Sequence, residues 1–258
     1  MNAAVLDPLA ARYAWSQSLP ASAVNDTDDE DPSLVRAMPL ILRIERTEPP
    51  SRTALLEAAA AAAIAVCLDP RTEPEGEWHA DVSAWLDQRI RKVARRARGA
   101  HWQAVQELPG LTSTVDGASV RALVPGRVVE APKEVTRLQI SGSELEYDDP
   151  GAPIPGLPVL WLNPVIDMSA GKAAAQVGHA TMLLAALMHA DRADDSLEDW
   201  SKEDYRVSVR TPSKELWRNL HPGDDPANAW RRRRVVAVRD AGFTEVDPGT
   251  VTVLAQWP

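Results

Sequence analysis

Apolar residues run without interruption from Leu157 to Leu162 (LPVLWL) and show no helical spacing, which marks a short strand buried on both faces. After the loop NPVIDMSAG, residues Lys172 to Ala190 are rich in Ala, Leu and Met, with neither Gly nor Pro beyond Gly178. This composition predicts a helix whose first turn begins at Gly171-Lys172. Tyr205 to Val209 alternates as a second strand. Thr211-Pro212-Ser213 then supplies a cap and a proline for a helix over Lys214 to Leu220. Val235 to Arg239 reads as a third strand, ended by the turn Asp240-Ala241-Gly242, and Thr250 to Gln256 as a fourth. The order β-α-β-α-β-β calls for an α/β fold with a four-stranded mixed β-sheet and crossover helices.

The first half repeats this pattern in a worn form. Met38 to Ile44 (MPLILRI) lies over Leu157 to Asn163 with an offset of 119, which places Thr53 on Lys172, Glu57 on Gln176 and Ala60 on His179. Gly110 to Leu123 echoes Gly242 to Leu254 at an offset of 131 or 132, as one longer loop in the second copy would produce. The expectation is two similar lobes, 38–130 and 157–258, the first without the lysine and histidine of the second. Residues 131–156, rich in Pro, Gly and acids, read as a linker with a short strand at Val135 to Ile140. Residues 1–37 read as an N-terminal arm whose acidic stretch, 16–33, is partly disordered. A helix over Ala80 to Ala97 is expected to carry Arg89, Arg91, Lys92, Arg95, Arg96 and Arg98 on a basic face.

Composition narrows the function classes. The 258 residues suffice for two cores of ordinary size. The single cysteine, Cys67, forms no internal disulfide, and its apolar surroundings suit inert packing. The apolar run Ala58 to Leu68 is far short of the ~20 residues that a membrane span requires. The N-terminus, with Asp7 ahead of any arginine, is not of signal-peptide type. A soluble, cytoplasmic protein is expected. A net charge of −9 excludes indiscriminate nucleic-acid binding, although it divides into −7 for residues 1–150 and −2 for 151–258. Four consecutive arginines, Arg231 to Arg234, stand in the more nearly neutral half.

The chemistry-bearing side chains cluster at one helix end. Lys172, Gln176 and His179 are spaced four and three apart, so they project from one side of the first two turns. Partial positive charge and free N–H groups at a helix N-terminus suit phosphate or a developing oxyanion. Asp240 closes the third strand, where α/β folds place ligand groups, and Thr244 and Thr252 follow in the same hairpin. Gly171, Gln176, Thr250, Arg231 and Arg232 are the expected substrate contacts.

The wording of these segments is specific. Met168-Ser-Ala-Gly-Lys-Ala-Ala-Ala-Gln-Val-Gly-His-Ala180 and Val238-Arg-Asp-Ala-Gly-Phe-Thr-Glu-Val-Asp-Pro-Gly-Thr-Val-Thr-Val-Leu254 resemble, in order and spacing, the two signatures of the type 2 peptidyl-tRNA hydrolases. The resemblance implies hydrolysis of the ester joining a peptide or N-blocked amino acid to the 3′ end of tRNA, with no metal and no cofactor. It assigns catalysis to Lys172, Asp240, Thr244 and Thr252, and matches Gln176 and His179 to motif positions. Either Asp240 or His179 would position the water. Members are commonly homodimers, so a decayed first lobe would stand in for the partner and leave a pseudo-dimeric monomer. Three positions depart from the family. Ala170 replaces a usual lysine, Glu245 a usual glutamine, and Trp257 stands near the chain end, where it is expected at the mouth of the site. The alternative is a catalytically weak homologue that binds RNA or a protein partner.

Overall fold

A computed structural model describes residues 3–258. In chain order the first part comprises helices α1 (Asp7–Ser18) and α2 (Ala21–Val24), strand β1 (Arg36–Arg43), helices α3 (Arg52–Leu68) and α4 (His79–Leu86), and strand β2 (Lys92–Ala97). Helix α5 (Gly99–Gln106), strands β3 (Gly110–Val115), β4 (Ala118–Leu123) and β5 (Gly126–Arg127), and helix α6 (Lys133–Thr136) complete it. The second part begins with strand β6 (Val159–Leu162), helices α7 (Ala170–Ala190) and α8 (Asp194–Lys202), and strand β7 (Ser208–Arg210). It ends with helices α9 (Lys214–Leu220) and α10 (Pro226–Arg233) and strands β8 (Val235–Arg239) and β9 (Val251–Gln256).

Two mixed sheets result. The first runs β2-β1-β4-β3, with the short β5 added on β1, and the second runs β7-β6-β9-β8. In each, the first strand pairs parallel with the second and antiparallel with the last. Helices α3 and α7 lie against one another between them. One apolar cluster, containing Leu40 and Leu42 of β1, Ala60 and Ile64 of α3, Leu160 of β6 and Ala180 and Leu184 of α7, spans both parts. Small residues allow this close approach. Thr181 Oγ1 donates to Ala60 O at 3.0 Å, and a Cβ added to Gly178 would lie 3.0 Å from the Cβ of Ala63. A buried pair also crosses the seam: Glu57 of α3 accepts from Arg210 Nη1 and Val209 N of β7, each at 2.9 Å.

The structure revises the offset. Leu42 faces the shared core whereas Trp161, its counterpart at 119, packs on the outer side with Trp217 and Leu220. Because side chains alternate along a strand, a one-residue slip exchanges the faces. A shift of 118 restores agreement: it puts Leu42 on Leu160 and Ser51, the N-cap of α3, on Ser169, the N-cap of α7. Lys172 then corresponds to Ala54 and His179 to Ala61.

Four further expectations change. The helix over 80–97 stops at Leu86, and the basic residues from Lys92 onward form β2, paired with β1 from Met38↔Lys92 to Arg43↔Ala97. Pairing on an open sheet edge outweighs the helical preference of Arg, Lys and Ala. The strand at Val135 to Ile140 is instead α6 started after Pro132, with Val135 and Leu138 buried beside Trp102; only Gln139 bridges to the sheet, at Arg96. The segment 131–156 is also docked. Asp148 accepts from Thr53 N and from the hydroxyls of Ser51 and Thr53 at the start of α3, while Ser143 Oγ accepts from Gly171 N at the start of α7. The N-terminal segment carries a helix: Leu6, Leu9 and Tyr13 are buried. Tyr13 Oη accepts from Ala237 N and Gln17 donates to Ala237 O, so α1 covers the open edge of β8. Among the described residues no helix is long and apolar enough to cross a membrane.

Candidate active site

Ser169 caps α7 by accepting from Lys172 N at 3.1 Å, which starts the helix one residue before the expected turn. From that first turn the Lys172 ammonium reaches Asp240 Oδ2 at 2.7 Å and Thr244 Oγ1 at 3.0 Å. Gln176, one turn on, donates to the same carboxylate oxygen at 2.8 Å and accepts from Thr252 Oγ1 at 2.5 Å. Lys172, Asp240, Thr244, Gln176 and Thr252 thus form one connected network drawn from α7, the β8–β9 loop and β9. The carboxylate, 7% exposed, is held from all sides, because its Oδ1 accepts from Gly242 N at 2.7 Å. Gly242 adopts φ +78°, and a Cβ there would fall 2.4 Å from Pro248 N, so only glycine closes this turn. Backbone bonds Asp240 N to Thr250 O (2.9 Å) and Gly249 N to Asp240 O (2.8 Å) lock the loop ends together.

Other expected residues stand apart. Thr250 contributes its carbonyl to that loop closure, and Gly171 gives its N–H to Ser143 Oγ at 3.1 Å. A Cβ on Gly171 would meet Ser143 Oγ at 2.8 Å, so this glycine serves the docked linker. Glu245 accepts from Ser169 N and Ser169 Oγ, each at 2.7 Å. The α7 N-terminus is therefore engaged by side chains rather than left with free donors. Arg231 and Arg232 are exposed on α10, separated from Asp240 by the whole of β8, roughly 17 Å of extended chain. Trp257 lies at that far end too: its N–H donates to Arg234 O and its ring packs edge-on against Trp200, so it does not stand at the mouth.

His179 is outside the network. Its Nδ1 is 3.0 Å from the Nζ of Lys92, which arrives from β2 of the other lobe over the surface left bare by Gly178. Burial, with the charges of Lys92 and Lys172, holds the imidazole well below its ordinary pKa, so the ring is neutral at pH 7. Burial also pushes the Lys92 amine down to about 7, the Cys67 thiol opposing this in part, and its Nζ lies 5.2 Å from the Trp85 ring centre. A folded pKa below the unfolded one means that the unfolded chain binds the extra proton, so stability rises with pH above 7 by about 1.4 kcal/mol per unit. In Lys92→Met that rise between pH 7 and 8.5 is expected to flatten, as read from thermal midpoints. An unchanged slope would mean that the amine titrates normally.

Thr252 is fully buried, and its hydroxyl orients the amide of Gln176. Thr252→Val keeps the volume and strands that amide oxygen. We expect a loss of about 1–3 kcal/mol in denaturant unfolding, with a turnover deficit that Thr252→Ser largely restores.

A cleft of about 510 Å³ opens beside Ser169 and Glu245; its opposite wall is Arg95 of β2 and the 138–144 segment. Ser169 was legible as a helix cap, since a serine stands just before the helical run. Ser143, Lys92 and Arg95 enter from distant parts of the chain, and no local pattern announces them. Among the described residues no three His, Cys, Asp or Glu side chains converge as a metal-binding group.

Residues 158–258 match the family model described as Peptidyl-tRNA hydrolase PTH2. Over 96 residues the chain is 38% identical to the peptidyl-tRNA hydrolase of Methanopyrus kandleri (strain AV19), a span of 36% of this chain and 76% of that protein. No solved structure matches. The chain belongs to the peptidyl-tRNA hydrolase PTH2 family, and the family match begins at residue 158, beyond the first lobe.

Proposed function

We propose that the second lobe hydrolyses the ester between a peptide or N-blocked amino acid and the 3′ end of tRNA, a substrate of translation that places the enzyme in the cytoplasm. The observation that carries this reading is the Lys172–Asp240 contact of 2.7 Å at the start of α7, steadied by Gln176, Thr244 and Thr252. Water adds to the ester carbonyl, with Asp240 orienting it and receiving its proton. The Lys172 ammonium stabilises the oxyanion. As the tetrahedral intermediate collapses, the C–O bond to the ribose breaks and the proton passes to the departing 3′ oxygen. His179, neutral and engaged by Lys92, leaves the water-orienting role to Asp240.

The first lobe is proposed to be a decayed copy in the place of a partner subunit, so the enzyme acts as a monomer. Matching strand orders support this, and so does the helix seam. Under the 118 shift Ala60 corresponds to Gly178 and Ala63 to Thr181, so the contacts Ala60–Thr181 and Ala63–Gly178 are exchanged, as in a two-fold interface.

A second reading, a catalytically weak RNA or protein binder, is favoured by one observation: the Glu245 carboxylate occupies the start of α7, where an anionic substrate group would be received. Incubation with N-acetyl-aminoacyl-tRNA decides between them. Release of the acyl group by the wild type, lost in Lys172→Ala and Asp240→Ala, supports hydrolysis. Absence of turnover with tRNA binding intact supports the second reading.

A further inference from the structure

The only phenylalanine of the chain, Phe243, is 51% exposed. An isolated apolar ring on a surface needs no explanation in general; this one sits where the chemistry is. Phe243 is next to Thr244, which accepts from Lys172, so its Cα is about 3.8 Å from that of a network member. The loop presenting it is fixed by the Asp240–Gly242 turn and by the Gly242–Pro248 contact, so the ring has a rigid base. On one side of it lies the guanidinium of Arg91, 5.6 Å from the ring centre. Arg91 belongs to the other lobe, just ahead of β2. Its carbonyl accepts from Met38 N at 2.9 Å and from Trp85 Nε1 at 3.2 Å, and its guanidinium is paired with Glu30. A rigid, half-open aromatic ring backed by a fixed arginine is the arrangement on which unpaired nucleobases stack.

We propose that Phe243, backed by Arg91, is a stacking platform for an unpaired base of the RNA substrate, so that the decayed lobe supplies part of substrate recognition. This deepens the proposed hydrolase reading and rests on it for the identity of the RNA. The spacing between Arg91 and Phe243 is too small to admit a base between them. The base therefore takes the open side of the ring, and Arg91 holds the other. Two sources share this chemistry: the terminal base bearing the ester, and another unpaired base of the same strand.

The test uses the full chain with Phe243→Ala, Phe243→Leu, Phe243→Trp and Arg91→Gln. Hydrolysis of N-acetyl-aminoacyl-tRNA and of an N-acetyl-aminoacyl-adenosine ester is measured, together with anisotropy of labelled uncharged tRNA. Phe243→Ala and Phe243→Leu are expected to raise KM for the tRNA ester about 5- to 150-fold with little change in kcat, and Phe243→Trp to retain wild-type KM. Arg91→Gln should raise KM less. An equal rise on the adenosine ester assigns the platform to the terminal base; a rise on tRNA alone assigns it to another base. If Phe243→Leu matches the wild type, or if Phe243→Ala leaves KM and tRNA affinity unchanged, the platform is overturned. A wild type that hydrolyses neither ester overturns the hydrolase reading instead. The anisotropy arm then still decides the platform, by whether Phe243→Ala weakens tRNA binding.

Discussion

Replacing Lys172 or Asp240 by alanine is expected to lower kcat for N-acetyl-aminoacyl-tRNA about 10²- to 10³-fold, the range for removing one preorganised group that meets transition-state charge. The isosteric Asp240→Asn should fare little better. Both carboxylate oxygens act as acceptors, Oδ1 from Gly242 N and Oδ2 from Lys172 and Gln176. An asparagine must turn its NH2 toward one of these donors. The NH2 then faces a donor at hydrogen-bond distance, and that mismatch persists within the network. Lys172 and Asp240 touch, so their effects should not add: the double alanine variant is expected to lose little more than the worse single one. Single-turnover kinetics of the four proteins provide the measurement. Full additivity would show that the two side chains act separately, and near-wild-type kcat in either single variant would remove the proposed chemistry.

What the chain discloses about itself depends on the range of the interaction. The four strands and the helices α7 and α9 of the second lobe were legible because each is written locally, bounded by caps and turns, and their observed bounds differ from the predicted ones by a few residues; the polar helices α8 and α10 were not expected. The network of Lys172, Gln176, Asp240, Thr244 and Thr252 was legible because helix periodicity and a glycine-bearing turn fix where these side chains point. One expectation there failed: the helix N-terminus that should have offered free donors is occupied by Glu245 and Ser143, and these partners lie 76 and 28 residues away. The helix expected over 80–97 failed likewise. Local preference favoured continuation, but an open edge of β1 captured Lys92 to Ala97. Alternation also explains why the offset of 119 failed by a single residue. Composition aligns Leu42 with any apolar neighbour, while the sheet distinguishes inner from outer face at each step.

The seam between the lobes should be tested at Arg210. Its guanidinium, 8% exposed, donates to Glu57 across the seam, to Gly151 O and Ala152 O of the docked linker, and to Val209 O. Burial raises the Glu57 carboxyl pKa, with Val209 N–H and Arg210 pulling against it. Arg210→Met removes the cation and leaves a buried carboxylate with one N–H, which costs about 3–5 kcal/mol. For a chain of this size the thermal midpoint at pH 7 should fall on the order of 10 °C. The sign with pH follows from linkage. A folded pKa raised above the unfolded one favours the folded state below the unfolded value and loses that contribution as pH rises through the folded value. The deficit of Arg210→Met should therefore shrink as pH is lowered from 7 toward 5. Glu57→Leu combined with Arg210→Met removes both charges and should recover most of the loss. Glu57 sits on α3 and Arg210 on β7, so wild type and variants are expected to unfold in one transition across both lobes. Separate melting of the two lobes, or an Arg210→Met protein as stable as the wild type, would show that this pair does not join them.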